Sequence, residues 1–581
     1  MDFINYILLL LGEYKSSILF GIFVSLITFV IKYEYDKNSA LPPGPWGLPF
    51  LGSLPWMKRG DQHTYMVKLA DKYGDLCSVR LGSRLAVCVS CPTLIKEMFG
   101  CSDRFIARPD TPLNKILRGY GIVLSEGNLY KCQRMFLVEK LRALGITTNQ
   151  RRDYSPAEGL IMLEVEELLS TLEMHQNEYI NPTNLLGLHV HNVICQITMS
   201  FRFQQNDESY GTFNDCVSEG MKLYGEVHLA EYLPAFLSSV TELGSQLTPE
   251  YEVESGIRCD VGGGDASRLG LEIEWAQKME QTTTFLYDVF RSIDEILKSP
   301  FRGDKVVNAI KRNLKEISDF HRRHVNARIE QRRSRPPYQP PADLLDCYLD
   351  AIRESACDRG RGGNRRDIFA GVDKMQQVLQ VMNDLFSAGM ETVRSALAWL
   401  IVTMVHWPCV AERVRRELAE VTGGPDAFVT LAHRTRLPYT EATILETLRR
   451  VNVVPLGTTH SNSSRAKVRN YIIPEKSLII PVLSKIHMNP AFFPSPENFS
   501  PERFIRNNRV VQPEYFMPFG TGRRVCLGEA LARKELFLFF ANIMNAYDFS
   551  LAPNAPLPPL VGPCGATHSP EPYTVRFTKR R

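Results

Sequence analysis

The chain has 581 residues, 44% hydrophobic and 23% charged, which is globular composition and excludes a disordered or collagen-like chain. Its 68 basic against 64 acidic residues leave a net charge of +4, too small to argue for nucleic acid as a partner. Thirteen cysteines are scattered without paired spacing and without a Cys/His set at zinc spacing, which fits a reduced, cytosol-facing domain.

Residues 17–31 run without a charge between Lys15 and Lys32 and are apolar apart from scattered Ser, Gly and Thr. The stretch is short of the ~20 residues that a membrane span takes. Snorkelling lysines and the flanking Tyr14 and Tyr33 extend it. The expectation is a membrane anchor within residues 1–40, its span at about 17–31; a cleaved signal peptide fits the length, but no small-x-small site follows. Asp2 and Glu13 speak against a mitochondrial presequence. Leu41-Pro42-Pro43-Gly44-Pro45-Trp46-Gly47 then reads as a stiff linker. A helix is predicted over 61–74 and a strand pair over 76–89, turning at Gly82-Ser83. Helical patterns dominate from about 160 to 405 and strand signals return at 468–482, so the fold class is mainly α with small β-sheets. Residues 255–265 carry Gly262-Gly263-Gly264 without the G-K-[ST] of a phosphate loop, and 332–341 and 359–366 read as solvated loops.

The most constrained segment is Phe519-Gly520-Thr521-Gly522-Arg523-Arg524-Val525-Cys526-Leu527-Gly528, of the form F-x-x-G-x-R-x-C-x-G, with a helical pattern directly after it. A thiolate that ligates a metal needs N–H donors and a positive dipole end, and Cys526 just before a helix start has both. Glycines on each side let the backbone approach a flat cofactor, and Arg524 supplies a cation suited to an acidic group on it. A lone Cys is by default a small buried hydrophobe; here five positions are constrained together.

Ala388-Gly389-Met390-Glu391-Thr392 lies inside a helix predicted over 373–406, ending before Pro408. A mid-helix Gly costs about 1 kcal/mol relative to Ala, and a Thr hydroxyl can turn back to the helix carbonyls. Gly389 and Thr392 therefore offer room and a donor, and Glu391 a proton source. Glu446-Thr447-Leu448-Arg449 sets a Glu and an Arg at i, i+3 on one helix face. From the residues alone the destination is a thiolate metal site beside a proton-relay helix.

The Cys526 segment resembles the haem-binding loop of cytochromes P450, and the other motifs follow that family's order from about residue 41 to the C-terminus. The resemblance implies that Cys526 is the axial iron ligand and that 388–392 is the oxygen-binding helix segment. Glu446 and Arg449 would be joined by Arg503 of Pro501-Glu502-Arg503-Phe504 in a structural network that fixes the Cys loop. Tyr130-Lys131-Cys132-Gln133-Arg134 matches the family's W-x-x-x-R with Tyr for Trp. Tyr130, Arg134, His460 and Arg524 would hold the haem carboxylates, with Phe519 and Gly528 against the haem. Residues 41–47 look like the proline hinge, 48–581 like the catalytic domain, and about 238–298 like a lengthened region. The implied cofactor is haem b, with O2 and NADPH-derived electrons. No nucleotide fingerprint is present, so the NADPH–cytochrome P450 reductase would be a separate protein. Lys131, Arg134, Lys140, Arg142, Arg523, Arg533 and Lys534 would present a cationic face to it. The implied location is the endoplasmic reticulum membrane, catalytic domain toward the cytosol.

Phe386-Ser387-Ala388-Gly389-Met390-Glu391-Thr392-Val393, Val453-Val454-Pro455-Leu456-Gly457-Thr458-Thr459-His460, residues 516–540 and Gly565-Ala566-Thr567 look like the arthropod ecdysteroid 26-hydroxylases. That likeness implies side-chain hydroxylation at C26 of an ecdysteroid such as 20-hydroxyecdysone, which inactivates the hormone. It also implies a steroid pocket lined by the segment before Tyr130, by 383–392, by 453–459 and by 562–569. Asn462-Ser463-Ser464-Arg465 and the region 238–298 depart from the pattern and keep another steroid, a fatty acid or a xenobiotic open as substrate. A haem-thiolate isomerase or dehydratase has no need of the Glu391–Thr392 relay, and the intact relay and ligand residues speak against a silent haem-binding protein. Asn462-Ser463-Ser464 also matches a glycosylation acceptor, which a cytosolic domain does not present to that machinery.

Overall fold

The computed structural model describes Ser25 and residues 40–48, 51–57, 61–82, 84–100, 102–146, 156–176, 178–205, 207–230, 300–333, 340–357 and 367–581. The rest of the expected span at 17–31, the lengthened region 238–298 with its Gly262–264 loop, and the segment 359–366 lie outside the described residues. The helices are α1 (Gln62–Tyr73), α2 (Pro92–Gly100), α3 (Pro112–Leu117), α4 (Gly127–Ala143), α5 (Pro156–Met174), α6 (Pro182–Met199), α7 (Glu208–Ala230), α8 (Pro300–Arg333), α9 (Leu344–Cys357), α10 (Lys374–His406), α11 (Pro408–Thr422), α12 (Pro438–Val451), α13 (Leu483–His487) and α14 (Glu529–Ala546). The strands are short: β1 (Leu76–Leu81), β2 (Arg84–Val89), β3 (Tyr179–Ile180), β4 (His460–Ser461), β5 (Ala466–Val468), β6 (Tyr471–Ile473), β7 (Leu478–Pro481), β8 (Ile505–Arg506), β9 (Arg509–Val510), β10 (Tyr547–Ser550) and β11 (Val575–Lys579). The chain is thus mainly helical with small sheets.

α10 is the axis of the core. Asp373 caps it by accepting from the Gln376 N–H, and Trp407, kept out of helical geometry by the proline after it, ends it. It packs against α6, α8, α12 and α14 and buries Phe386 and Trp399 completely, each stabilising by about 2–3 kcal/mol. By length and composition α10 could cross a membrane, but it is buried inside the protein.

The main sheet has the order β1-β2-β7-β4. β1 and β2 are antiparallel with Leu81 opposite Arg84, as the turn at Gly82 requires, and β2 runs parallel to β7 with Ala86 opposite Leu478. His460 on β4 is thereby set opposite Ile479, at the edge of the sheet. The proline-rich segment is no free linker. The Ser78 backbone donates to the Pro43 carbonyl at 2.9 Å and its hydroxyl to the Pro42 carbonyl at 2.6 Å, while Leu41 is buried. The cysteines are also less scattered than expected, since Cys88 and Cys91 stand at C-x-x-C spacing. Cys88 is buried against Met66 and Cys91 contacts Thr93, so both are free thiols.

Candidate active site

A cavity of about 370 Å³ lies between α10, α14, the loop 518–528 and the segment that leads into α4. Cys526 opens onto it. The loop is shaped by glycine: Gly520 and Gly522 both have φ +74°. A Cβ at Gly522 would run into the Phe99 carbonyl of α2, so only glycine fits there. At Gly520 a Cβ would meet nothing, and at Gly528 only the Cys526 Sγ at 4.0 Å, so the backbone beside the thiol leaves a face clear. The Cys526 N–H donates to the Phe519 carbonyl at 3.0 Å, and Gly528 caps α14. Burial in the interior pushes the thiol up. The N–H groups of Gly528 and Glu529 and the charge of Arg134 oppose that rise, and the Glu529 carboxylate adds to it.

Ala388, Gly389 and Thr392 line the same cavity. The Thr392 hydroxyl donates to the Ala388 carbonyl at 2.8 Å, the back-bond that Thr was expected to make. Gly389 serves more than the cavity. A Cβ there would lie 2.7 Å from Ile194 Cδ1, so the glycine also lets α6 approach α10. Glu391 corrects the expectation of an acid beside the Thr392 hydroxyl. It is not among the cavity-lining residues; it is buried, ion-paired with Arg394, and accepts from Ser395 at 3.3 Å and Ser569 at 3.5 Å. One residue along a helix turns a side chain by ~100°, which carries Glu391 off the face of Thr392. Burial raises its pKa and the Arg394 charge opposes the rise.

At one edge of the cavity stand Arg134, His460 and Arg524, together with Arg108. Arg524 donates to the carbonyls of Ile106 (3.0 Å) and Ser125 (2.7 Å) and lies 3.5 Å over the Tyr130 ring. Burial and the neighbouring Arg108 bring its pKa down to about 9. His460 stacks on Phe99 at 4.2 Å, and burial with Arg108 and Arg524 pushes it down to about 2. Neither His460 ring nitrogen nor Nη1 of Arg524 has a well-formed hydrogen-bond partner among the described residues. Tyr130 lines the same edge, and its hydroxyl also braces the Cys loop by donating to the Arg523 carbonyl at 2.8 Å. Arg134 does the same through the Val525 carbonyl at 2.8 Å. Arg108, which no motif pointed to, donates to the carbonyls of Val123 and Thr459 at 2.9 Å each.

Glu446 and Arg449 on α12 are fully buried and joined by two bonds of 2.7 and 2.8 Å, and Arg503 reaches Glu446 at 3.1 Å. Arg449 also donates to the His487 carbonyl at 2.9 Å. The His487 Nε2 accepts the Met517 N–H at 3.1 Å, which ties the network to the chain two residues before Phe519. Phe519 itself lines the cavity, under the Arg533 guanidinium at 4.8 Å.

Two further expectations change. Lys534 is buried and donates to the Ile146 carbonyl, so it is no part of a basic surface. Residues 562–569 do not line the cavity; His568 is instead tied to the Val451 carbonyl, and its own carbonyl to Trp399. Asn462 is buried and saturated by Ser464, Pro474 and Ser477, which closes it to glycosylation.

The donor set fits a haem. A thiol facing a cavity can ligate iron once deprotonated, and the unpartnered Nη1 of Arg524 beside His460 and Arg134 suits an acidic side group. The comparisons agree. The family model for cytochrome P450 matches residues 42–246 and 268–577. Cytochrome P450 18a1 of Drosophila melanogaster is 36% identical over 96% of this chain and 90% of its own length. Cytochrome P450 2B19 of Mus musculus is 28% identical over 98% of this chain and all of its own. Cytochrome P450 2B4 of Oryctolagus cuniculus is 28% identical over the same shares. Likeness over the whole length, with the thiol where it is, means that the chain belongs to the cytochrome P450 family, monooxygenases that use haem b, O2 and NADPH-derived electrons supplied through a reductase.

Proposed function

We propose that this monooxygenase hydroxylates the side chain of an ecdysteroid at C26, with 20-hydroxyecdysone as substrate. The observation that carries the reading is the cavity: apolar walls of Ile122, Val123, Leu385, Val453 and Val454 stand around Thr392 and the Cys526 thiol. They fall in three of the four segments that the likeness to ecdysteroid 26-hydroxylases singles out, and a fly protein is among the relatives. Another steroid, a fatty acid or a xenobiotic is the alternative.

In this reading Cys526 ligates the iron, and Arg108, Arg134, His460 and Arg524 hold the haem carboxylates. Phe519 and Gly528 flank the haem, while Tyr130 and the Glu446–Arg449–Arg503 network keep the Cys loop in shape. The haem, when bound, supplies the activation of O2. The Thr392 hydroxyl holds a proton at the cavity wall, while Glu391 stays paired with Arg394 off that face. The chain sits on the endoplasmic reticulum membrane by an anchor within 1–40, catalytic domain toward the cytosol. The reductase docks on the face of Lys131, Arg142 and Arg523, beside a cleft along α4, which supports this placement. Residues 238–298 are a lengthened region; the interruption of the family match at 247–267 supports that.

The test is product analysis after 20-hydroxyecdysone is fed to microsomes with this protein, reductase and NADPH. A C26-hydroxylated or acid product, lost without NADPH, is expected. Absence of product from protein that shows the thiolate–CO band refutes the ecdysteroid part.

A further inference from the structure

We infer that Gln377, Gln380 and Asp384 form a clasp on α10 that fixes the segment 121–123 as one wall of the cavity and so sets how bulky a molecule the cavity admits. The inference rests on the reading that this cavity holds haem and substrate. At i, i+3 and i+7 the three side chains share one stripe of the helix. Gln377 takes Gly121 by both backbone groups: its Oε1 accepts the N–H at 3.0 Å and its Nε2 donates to the carbonyl at 2.9 Å. Asp384 Oδ2 accepts the N–H of Ile122 at 2.7 Å and of Val123 at 2.9 Å. Gln380 donates to the other Asp384 oxygen at 2.8 Å and holds the carboxylate in place.

Gly121 is the residue that admits this. Its φ is +90°, and a Cβ would run into the Asp384 carboxylate. Ile122, Val123 and Asp384 all line the cavity. Connecting segments are ordinarily the mobile parts of a fold; this one is bonded three residues in a row to the helix that carries Thr392. Asp384 precedes Thr392 by eight residues, about 12 Å along the axis. One rigid helix therefore sets the separation between the Ile122–Val123 wall and the Thr392 hydroxyl. The three clasp residues are positioning residues; none of them is assigned to the reacting atoms.

The experiment uses the haem-loaded protein with two azole probes, bulky clotrimazole and small 1-phenylimidazole, and amide hydrogen exchange over residues 119–125. In Asp384→Ala, exchange there should quicken by about tenfold or more. Clotrimazole should bind about tenfold more weakly and 1-phenylimidazole within about twofold of wild type. Asp384→Asn, whose carbonyl accepts the same two N–H groups, should restore both readouts. Gln377→Leu removes two bonds with Asp384 intact and serves if Asp384→Ala does not fold. Unchanged exchange in both variants overturns the clasp. Faster exchange with unchanged clotrimazole binding overturns its role in admission, as does equal weakening of both azoles. A wild type that binds neither azole refutes the cavity assignment itself, and the inference with it.

Discussion

Arg449→Ala tests whether the buried ion network holds the Cys loop. Arg449 has no exposed side-chain surface and donates to both Glu446 oxygens and to the carbonyls of His487 and Pro496. Its removal leaves Glu446, equally buried, with the Ser500 N–H at 2.9 Å and Arg503 at 3.1 Å. Breaking a buried pair costs about 3–5 kcal/mol. The surviving Arg503 contact argues for the lower end, and two stranded carbonyls add about 1 kcal/mol each. The sum, about 5 kcal/mol, is of the order of a whole domain's stability, about 5–15 kcal/mol. Arg503 is partly exposed, makes one bond to Glu446 and donates to the solvent-exposed carbonyls of Pro494, Ser495 and Asn498, so Arg503→Ala should cost less, about 1–3 kcal/mol. The assay is denaturant unfolding of the haem-loaded protein with the reduced-CO spectrum as readout. Arg449→Ala should yield little haem protein, or protein whose thiolate–CO band converts readily to the inactive form. Normal haem incorporation with stability within about 1 kcal/mol of wild type would refute the reasoning.

Thr392→Ala should leave NADPH consumption running while product per NADPH falls, by up to about 10²-fold, and unchanged coupling would remove the hydroxyl from the proton path. Gly522→Ala adds left-handed strain and a clash with the Phe99 backbone. Roughly 3 kcal/mol or more and most haem binding should be lost, read as haem per protein; full loading would show that the loop does not need this glycine. Asp384 has a carboxyl pushed up by burial to about 6, against an ordinary 3.8, despite the Val123, Gln380 and Ile122 donors. A raised carboxyl contributes stability below its unfolded pKa and loses it as pH rises to the folded one. Wild type should therefore lose about 3 kcal/mol relative to Asp384→Asn between about pH 4 and pH 6, then stay level. Parallel stability curves of the two proteins across that window would contradict the shift.

What was legible in the sequence is what is local. The Cys526 loop, the Ala388–Thr392 turn and the Glu446/Arg449 pair are short motifs, and each sits on the element predicted for it. Glu391 was legible as an acid but not in its direction. The signal was present, since Arg394 stands three residues on, at the spacing of a helix ion pair. Gly389 read as room for a ligand because the neighbour that needs it, Ile194, comes from a helix some two hundred residues earlier. Arg108, His487 and the Asp384 clasp carry no motif; their partners lie in other segments, and no periodicity of one segment reports them. The parallel pairing of β2 with β7, almost four hundred residues apart, is hidden for the same reason.

The reduced-CO difference spectrum of wild type beside Cys526→Ala bears most directly on the assignment of the site. A thiolate–CO band is expected in the wild type and none in the variant, with the fold otherwise retained by circular dichroism. A thiolate–CO band that survives in Cys526→Ala would mean that another cysteine holds the iron and that the site has been misassigned.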